Sequence, residues 1–154
     1  MADEHRLEAE VLTPEGEVFR GELFQVSTRT SIGEVGIRAR HAPLVARLVP
    51  CELRLWPSEN ESEVVRYAQG EGWLEVFANR ARLLVAEAVE PDQLDVGELR
   101  EKLADAEQRV KETEGDVETP GALPGRHATS GSAAHEVAER ERARAEAFIK
   151  IAEQ

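Results

Sequence analysis

Glu34, Arg38, Arg40 and His41 lie close together in the stretch GEVGIRARHAPL, residues 33–44. A histidine beside a carboxylate and two guanidinium groups could transfer protons, hold a metal or grip a charged partner, and each use makes different demands. A general base needs a nucleophile or carboxylate within hydrogen-bond reach, and a metal site needs further His, Cys or carboxylate ligands. The other histidines are His5, His127 and His135, and none stands at a spacing such as His-x-x-x-His with a carboxylate near it. There is no Gly-rich phosphate loop ending in Lys-Ser or Lys-Thr, no G-x-S-x-G elbow and no cysteine in an activating motif. The expectation is therefore no catalytic residue, no metal and no cofactor. Two uses of the stretch remain. In one, Gly33 and Gly36 permit positive torsions or close backbone approach and Pro43 fixes the exit of a structured turn; in the other, exposed polar side chains make a docking loop.

A second charged cluster is ERERARAEAFIK near the C-terminus, where Arg140, Arg142, Arg144 and Lys150 punctuate acidic residues. Arg140 and Arg144 are one helical turn apart, which suits either a solvated helix face or a basic strip offered to an acidic partner.

The chain that must position these residues has 154 of them, enough for one domain and an appendage. Aromatics make up only 5% against 32% charged residues, so the core has to be built from Val, Leu, Ile and Ala. A net charge of -12 argues against nucleic-acid binding, which needs a basic face. Cys51 is the lone cysteine and no secretory leader opens the chain, a cytosolic pattern in which Cys51 reads as a small packed hydrophobe rather than a reactive thiol. No run approaches the roughly 18 apolar residues that cross a bilayer, so direct membrane insertion is not expected.

Apolar residues recur every second position from Arg6 to about Val89, with turn residues between the runs. RLEAEVLT alternates Leu7, Ala9 and Val11 with Glu8 and Glu10, and a turn at PEGE leads to a second strand read through Val18 and Leu23 to Val26. ELRLW and EVVRYAQG are read as hairpin partners around PSEN, and WLEVF and ARLLVAEAV flank Asn79-Arg80. Strands this short predict an antiparallel sandwich or flattened barrel of roughly eight to ten strands over residues 1–90.

At Pro91 the period changes. Val96, Leu99, Leu103, Ala106 and Val110 fall on one face of a helix over about 95–113. Asp95 with Glu98 resembles a capping box, and Glu98–Lys102, Asp105–Arg109 and Glu107–Lys111 are spaced for surface pairs. Residues 115–131 read as a flexible linker, and Ser132 as the cap of a second helix over about 132–152 with Ala134, Ala138, Ala145, Phe148 and Ala152 on one face, interrupted by Glu141. Alanine-rich faces bury little area, so residues 91–154 should form a hairpin that docks weakly, either fixed on the sandwich or able to leave it.

LTPEGEVFRGE, GEVGIRARHAPLVARLVP and GEGWLEVFANRARLLVAEAVEPDQLD, followed by the helical remainder, resemble the epsilon subunits of bacterial F-type ATP synthases. The pattern G-E-x-G-I-x-x-x-H-A-P-L, met by Gly33, Glu34, Gly36, Ile37, His41, Ala42, Pro43 and Leu44, is specific. The resemblance implies a ten-stranded flattened sandwich beside the gamma subunit, touching the c ring at the cytoplasmic face of the cell membrane, with no chemistry of its own. On that footing the subunit couples proton translocation to ATP synthesis, Glu34 meets the polar loop of the c ring and His41 faces gamma. Arg38-Ala39-Arg40 replaces a common Pro-Gly turn, and its arginines could pair with acidic groups on either partner. The two C-terminal helices resemble a brake that permits rotation when folded and inhibits ATP hydrolysis when extended among the alpha and beta subunits. Arg140, Arg142, Arg144 and Lys150 then stand where the family's basic residues meet an acidic segment of beta. A family ATP-binding motif survives only as Leu94 and Asp95, since Glu98 and Leu99 replace its arginine and alanine, and this implies weak or absent ATP binding. The alternative is a free-standing sandwich that binds a small ligand or an unrelated protein.

Overall fold

The computed structural model describes residues 5–114 and 130–154, with side chains described from residue 133 in the second segment. Ten strands come first: β1 Leu7–Thr13, β2 Gly16–Leu23, β3 Gln25–Thr30, β4 Gly33–Arg38, β5 Leu44–Leu48, β6 Cys51–Trp56, β7 Val65–Gln69, β8 Gly72–Phe77, β9 Arg80–Val85 and β10 Ala88–Val89. Short 3-10 turns at Glu61–Glu63 and Pro91–Gln93 interrupt them, and helices α1 Val96–Glu114 and α2 Ser130–Ala152 follow.

The strands hydrogen-bond in the order β10-β7-β6-β3-β5-β8-β9-β1-β2, with β4 also on β3. The sheet doubles over where β3 pairs with β6 along Gln25–Ser27 and then reaches β5 at Thr30 and Leu48. Two layers result. β6 with β7, and β8 with β9, are antiparallel hairpins at the places where alternation predicted them. One ladder departs from the antiparallel expectation: β1 runs parallel to β9, pairing Glu8 with Arg80 and Leu12 with Leu84. The strand read through Leu23 to Val26 is also two strands, broken at Phe24. Leu23 and Val26 are both buried yet an odd number of positions apart, which a single straight strand cannot arrange on one face.

The core between the layers is aliphatic, with Leu7, Val11, Val26, Ile37, Leu53, Leu74 and Leu83 essentially inaccessible. At about 25 cal/mol per Å² such side chains contribute roughly 1.5–3 kcal/mol each. One glycine allows β8 and β9 to pair closely: a Cβ on Gly72 would stand 2.0 Å from the Leu84 carbonyl oxygen of the neighbouring strand.

α1 buries Leu99, Ala106 and Val110, on the stripe predicted for it. The Asp95 carboxylate accepts from the Glu98 backbone N–H at 3.0 Å, but the capping box is only half formed, because the Glu98 carboxylate turns outward to Lys102 at 2.5 Å. An ion pair one turn along the helix wins over a bond back to the cap. Asp105 pairs with Arg109 at 2.8 Å, whereas among the described residues Glu107 and Lys111 do not pair with each other. α2 starts at Ser130, so Ser132 lies inside the helix and does not cap it. Among its described side chains Ala138, Ala145, Phe148 and Ile151 are buried, while Ala134 is exposed. Glu141 does not spoil the face, since it turns to α1 and pairs with Arg109 at 2.5 Å. Phe148 and Ile151 form a small cluster with Leu99 of α1 and Ala68 of β7, and this cluster seats the hairpin on the sandwich. The linker expected over 115–131 falls almost wholly outside the described residues.

Candidate functional site

Glu34 and Arg38 are strand residues rather than loop residues, at the two ends of β4. At about 3.3 Å per residue, roughly 13 Å of strand separates them. The polar stretch is therefore two sites at opposite ends of one strand, not one constellation that could share a proton or a metal. Among the described residues no three His, Cys, Asp or Glu side chains are grouped to hold a metal ion; His127 lies outside the described residues.

At one end, Glu34 sits beside the β3–β4 turn, where Gly33 has a φ of 143° and Ile32 is 96% exposed. Glu34 also faces a cleft of about 430 Å³ between α2 and strands β3 and β6, with Arg29, Arg54 and Lys150 on its walls. Glu34 and Lys150, placed separately by the sequence, thus share a cleft.

At the other end, the Arg38 guanidinium lies 4.8 Å from the Phe24 ring centroid and donates to Gln25 at 2.7 Å. Beyond Arg38 the chain turns sharply, the His41 N–H donating to the Arg38 carbonyl at 3.1 Å. Arg40 takes a φ of 64°, the left-handed conformation that glycine adopts most cheaply. Asn79 holds it there. Its side-chain oxygen accepts from the Arg40 N–H at 2.9 Å, its amide donates to the Arg6 carbonyl at 2.9 Å, and its own carbonyl accepts from Glu8 N–H at 3.1 Å. His41 Nδ1 is 2.7 Å from the carbonyl of Ala42, so the ring is oriented by local backbone and not by a carboxylate or nucleophile. That geometry suits a docking residue better than a general base.

His41 leads into a surface the sequence reading did not single out. Val45, Trp73, Phe77 and Leu84 are 71%, 55%, 65% and 47% exposed. Cross-strand pairing of Trp73 with Leu84, and of Glu75 with Val45 and Arg82, puts all of them on the outer side of β5, β8 and β9. This is the layer that the hairpin does not cover. Large apolar residues gathered on one exposed face mark an interaction surface rather than a core. The signal was present in WLEVF, since period two sends Trp73, Glu75 and Phe77 one way and Leu74 and Val76 the other. Next to this strip, Glu10 is 3% exposed between Arg82 at 2.9 Å and Arg20 at 3.1 Å. The hydrogen bond from Arg82, with the nearby Arg20 charge, holds its carboxyl below the usual carboxylate range.

The basic residues of α2 are mostly engaged. Arg140 approaches Glu136 at 3.6 Å, and Arg142 lies 3.1 Å from Glu139 and 3.6 Å from Glu146, all within the helix. Arg144 instead reaches the sandwich, donating through Nε and Nη2 to both carboxylate oxygens of Glu87 while lying 4.9 Å from the Phe148 ring centroid. Leu94 and Asp95 lead into α1, with Asp95 occupied by the helix cap. Cys51 is partly buried against Thr28 and Gln69, and burial pushes its thiol pKa up, as a packed cysteine requires.

The sequence profile of the family described as ATP synthase, Delta/Epsilon chain, beta-sandwich domain matches residues 6–91. The chain is 35% identical over 107 residues to the ATP synthase epsilon chain of Dichelobacter nodosus, covering 70% of this chain and 73% of that one. It is 36% identical over 110 residues to the ATP synthase epsilon chain of Mycolicibacterium smegmatis, covering 71% and 88%. In structure it is similar to a chain of the Euglena gracilis mitochondrial ATP synthase (OSCP/F1/c-ring) with a TM-score of 0.68 at 18% identity, over 93% of this chain and 79% of that one. A chain of the Tetrahymena thermophila mitochondrial ATP synthase central stalk/c-ring gives 0.56 at 17% identity, over 94% and 95%. With a sandwich that matches the family from its first strand to its last and bacterial relatives above 30% identity, the chain belongs to the ATP synthase epsilon-chain family.

Proposed function

We propose that this chain is a central-stalk rotor subunit of an F-type ATP synthase. It helps couple proton translocation to the making of ATP from ADP and phosphate, at the cytoplasmic face of the membrane, without catalysing a step itself. The observation that carries this reading is the exposed strip Val45, Trp73, Phe77 and Leu84 on the layer away from the hairpin. A rotor subunit must hold its neighbour against torque, and a contiguous apolar strip with charged residues at its edge is what such a contact needs. The strip docks on gamma, with His41 and Arg40 at its margin. The opposite end of β4, with the exposed Ile32 and Glu34, meets the c ring.

The helices restrain ATP hydrolysis by leaving the sandwich and entering the alpha and beta subunits, where Arg140, Arg142, Arg144 and Lys150 meet acidic groups. The localised seat at Ala68, Leu99, Phe148 and Ile151 supports this, because the helices are held to the sandwich through one small apolar cluster that a new contact elsewhere can replace. ATP does not hold the docked state: Asp95 is spent on the α1 cap, Glu98 presents a carboxylate where a phosphate would need a cation, and Arg144 is taken by Glu87. Titrating the chain with ATP should give no saturable heat at millimolar nucleotide. Deleting residues 115–154 should leave assembly intact and raise ATP hydrolysis by the complex; unchanged hydrolysis would refute the brake.

A further inference from the structure

We propose that Glu87 is an internal ligand for Arg144, which latches α2 to the sandwich and must surrender that guanidinium before the helix can bind an acidic partner. The inference rests on the brake reading for its consequence, but not for its geometry.

Among the described residues, the other ion pairs of α2 and of Glu153 just after it are made within the helix or with α1. Arg140 and Arg142 pair with glutamates of their own helix, Arg100 of α1 bonds Glu153 at 2.7 Å, and Glu141 bonds Arg109. These travel with the hairpin and resist nothing when it departs as a unit. Arg144–Glu87 joins the helix to the segment between β9 and β10, and so it must break.

The pair is well built for this task. Two parallel N–H to oxygen bonds fix the guanidinium plane, and the side chains are 33% and 26% exposed, so solvent screens them less than an ordinary surface pair. The Arg144 guanidinium also lies over Phe148, the largest fully buried side chain of the hairpin, so charge and apolar seat are held together. On the sandwich side, the Gly70 N–H donates to the Glu87 carbonyl at 3.0 Å, and a Cβ on Gly70 would stand 3.2 Å from Glu87 Cγ. Glycine there leaves the carboxylate room to rise toward α2. The hydrogen bond to Glu87 also strengthens the hold of Arg144 on its proton, raising its pKa.

The same guanidinium edge cannot serve Glu87 and a partner's carboxylate together. Glu87 therefore stands in for the acidic surface that α2 meets after release, and the balance between the two sets how often the brake engages.

The test is hydrogen exchange of α2 amides in the full chain, with Glu87→Gln, Arg144→Gln and the charge-swapped double variant Glu87→Arg with Arg144→Glu. Each single variant should exchange α2 amides about tenfold faster than wild type, a difference equivalent to about 1.4 kcal/mol, with the β-core amides unchanged. The swapped pair should return them to within about threefold. Single variants within about twofold of wild type, or a rise that the swap fails to reverse, would overturn the latch. ATP hydrolysis by the assembled complex separates the two readings: faster α2 exchange in Glu87→Gln with lower hydrolysis supports both, whereas faster exchange with unchanged hydrolysis keeps the latch and refutes the brake.

Discussion

Asn79 decides the shape of the His41 turn. Sequence alone marks it as a turn residue, and the structure gives it a φ of 61°. Its partners Arg40 and Arg6 are far away in sequence, which is why its clamping role was not legible there. Asn79→Gly keeps the left-handed backbone and removes both side-chain bonds, so it should cost about 1 kcal/mol in chemical denaturation. Asn79→Ala, which adds a backbone penalty of about 1–2 kcal/mol, should cost more. Glu10 belongs to the same scale. Its folded pKa is depressed, so its contribution to stability is fully present above the ordinary carboxylate range and is lost as pH falls through the lower folded value. Glu10→Gln should therefore be less stable than wild type at pH 7, and the gap should close on acidification below about pH 4, where the unfolded carboxyl titrates. A gap that persists into strong acid would mean that the arginines do not act through charge.

Among the elements, those with clean periods were readable. β6, β8 and β9 alternate, and α1 shows its stripe in Leu99, Ala106 and Val110. The break at Phe24 was hidden because Leu23 and Val26 are both apolar, although their odd spacing carried the information. The face of α2 shifted from Ala152 to Ile151 because that helix packs against two bodies at once, α1 through Glu141 and the sandwich through Phe148. No single stripe describes such a helix. Phe148→Ala should cost about 3–5 kcal/mol of docking, seen as fast amide exchange in α2 while the β core keeps its protection. Gly72 matters at this scale too. A Cβ there meets backbone at 2.0 Å, so Gly72→Ala should lower the thermal midpoint of the sandwich, by a margin larger than Gly36→Ala, whose Cβ would meet only the Gln25 side chain at 3.4 Å.

For the molecule as a whole, the hairpin seat and the apolar strip lie on opposite layers of the sandwich. A body with two such faces can stay fixed to one neighbour while its helices move relative to another. The resemblance in GEVGIRARHAPL pointed to docking at Glu34 and His41, and the structure puts Glu34 near the start of β4 and His41 in the turn beyond its other end. The strip between β5 and β9 was not assembled from sequence, because it needs the register that pairs Trp73 with Leu84 and Glu75 with Val45. The most direct measurement is the affinity of the full chain for its cognate gamma subunit, comparing wild type, Val45→Asp with Phe77→Asp, and Val137→Asp on the exposed side of α2. The rotor account predicts at least about tenfold weaker binding for the strip variant and none of that loss for Val137→Asp. Equal affinity for all three, with the strip variant folded, would contradict it.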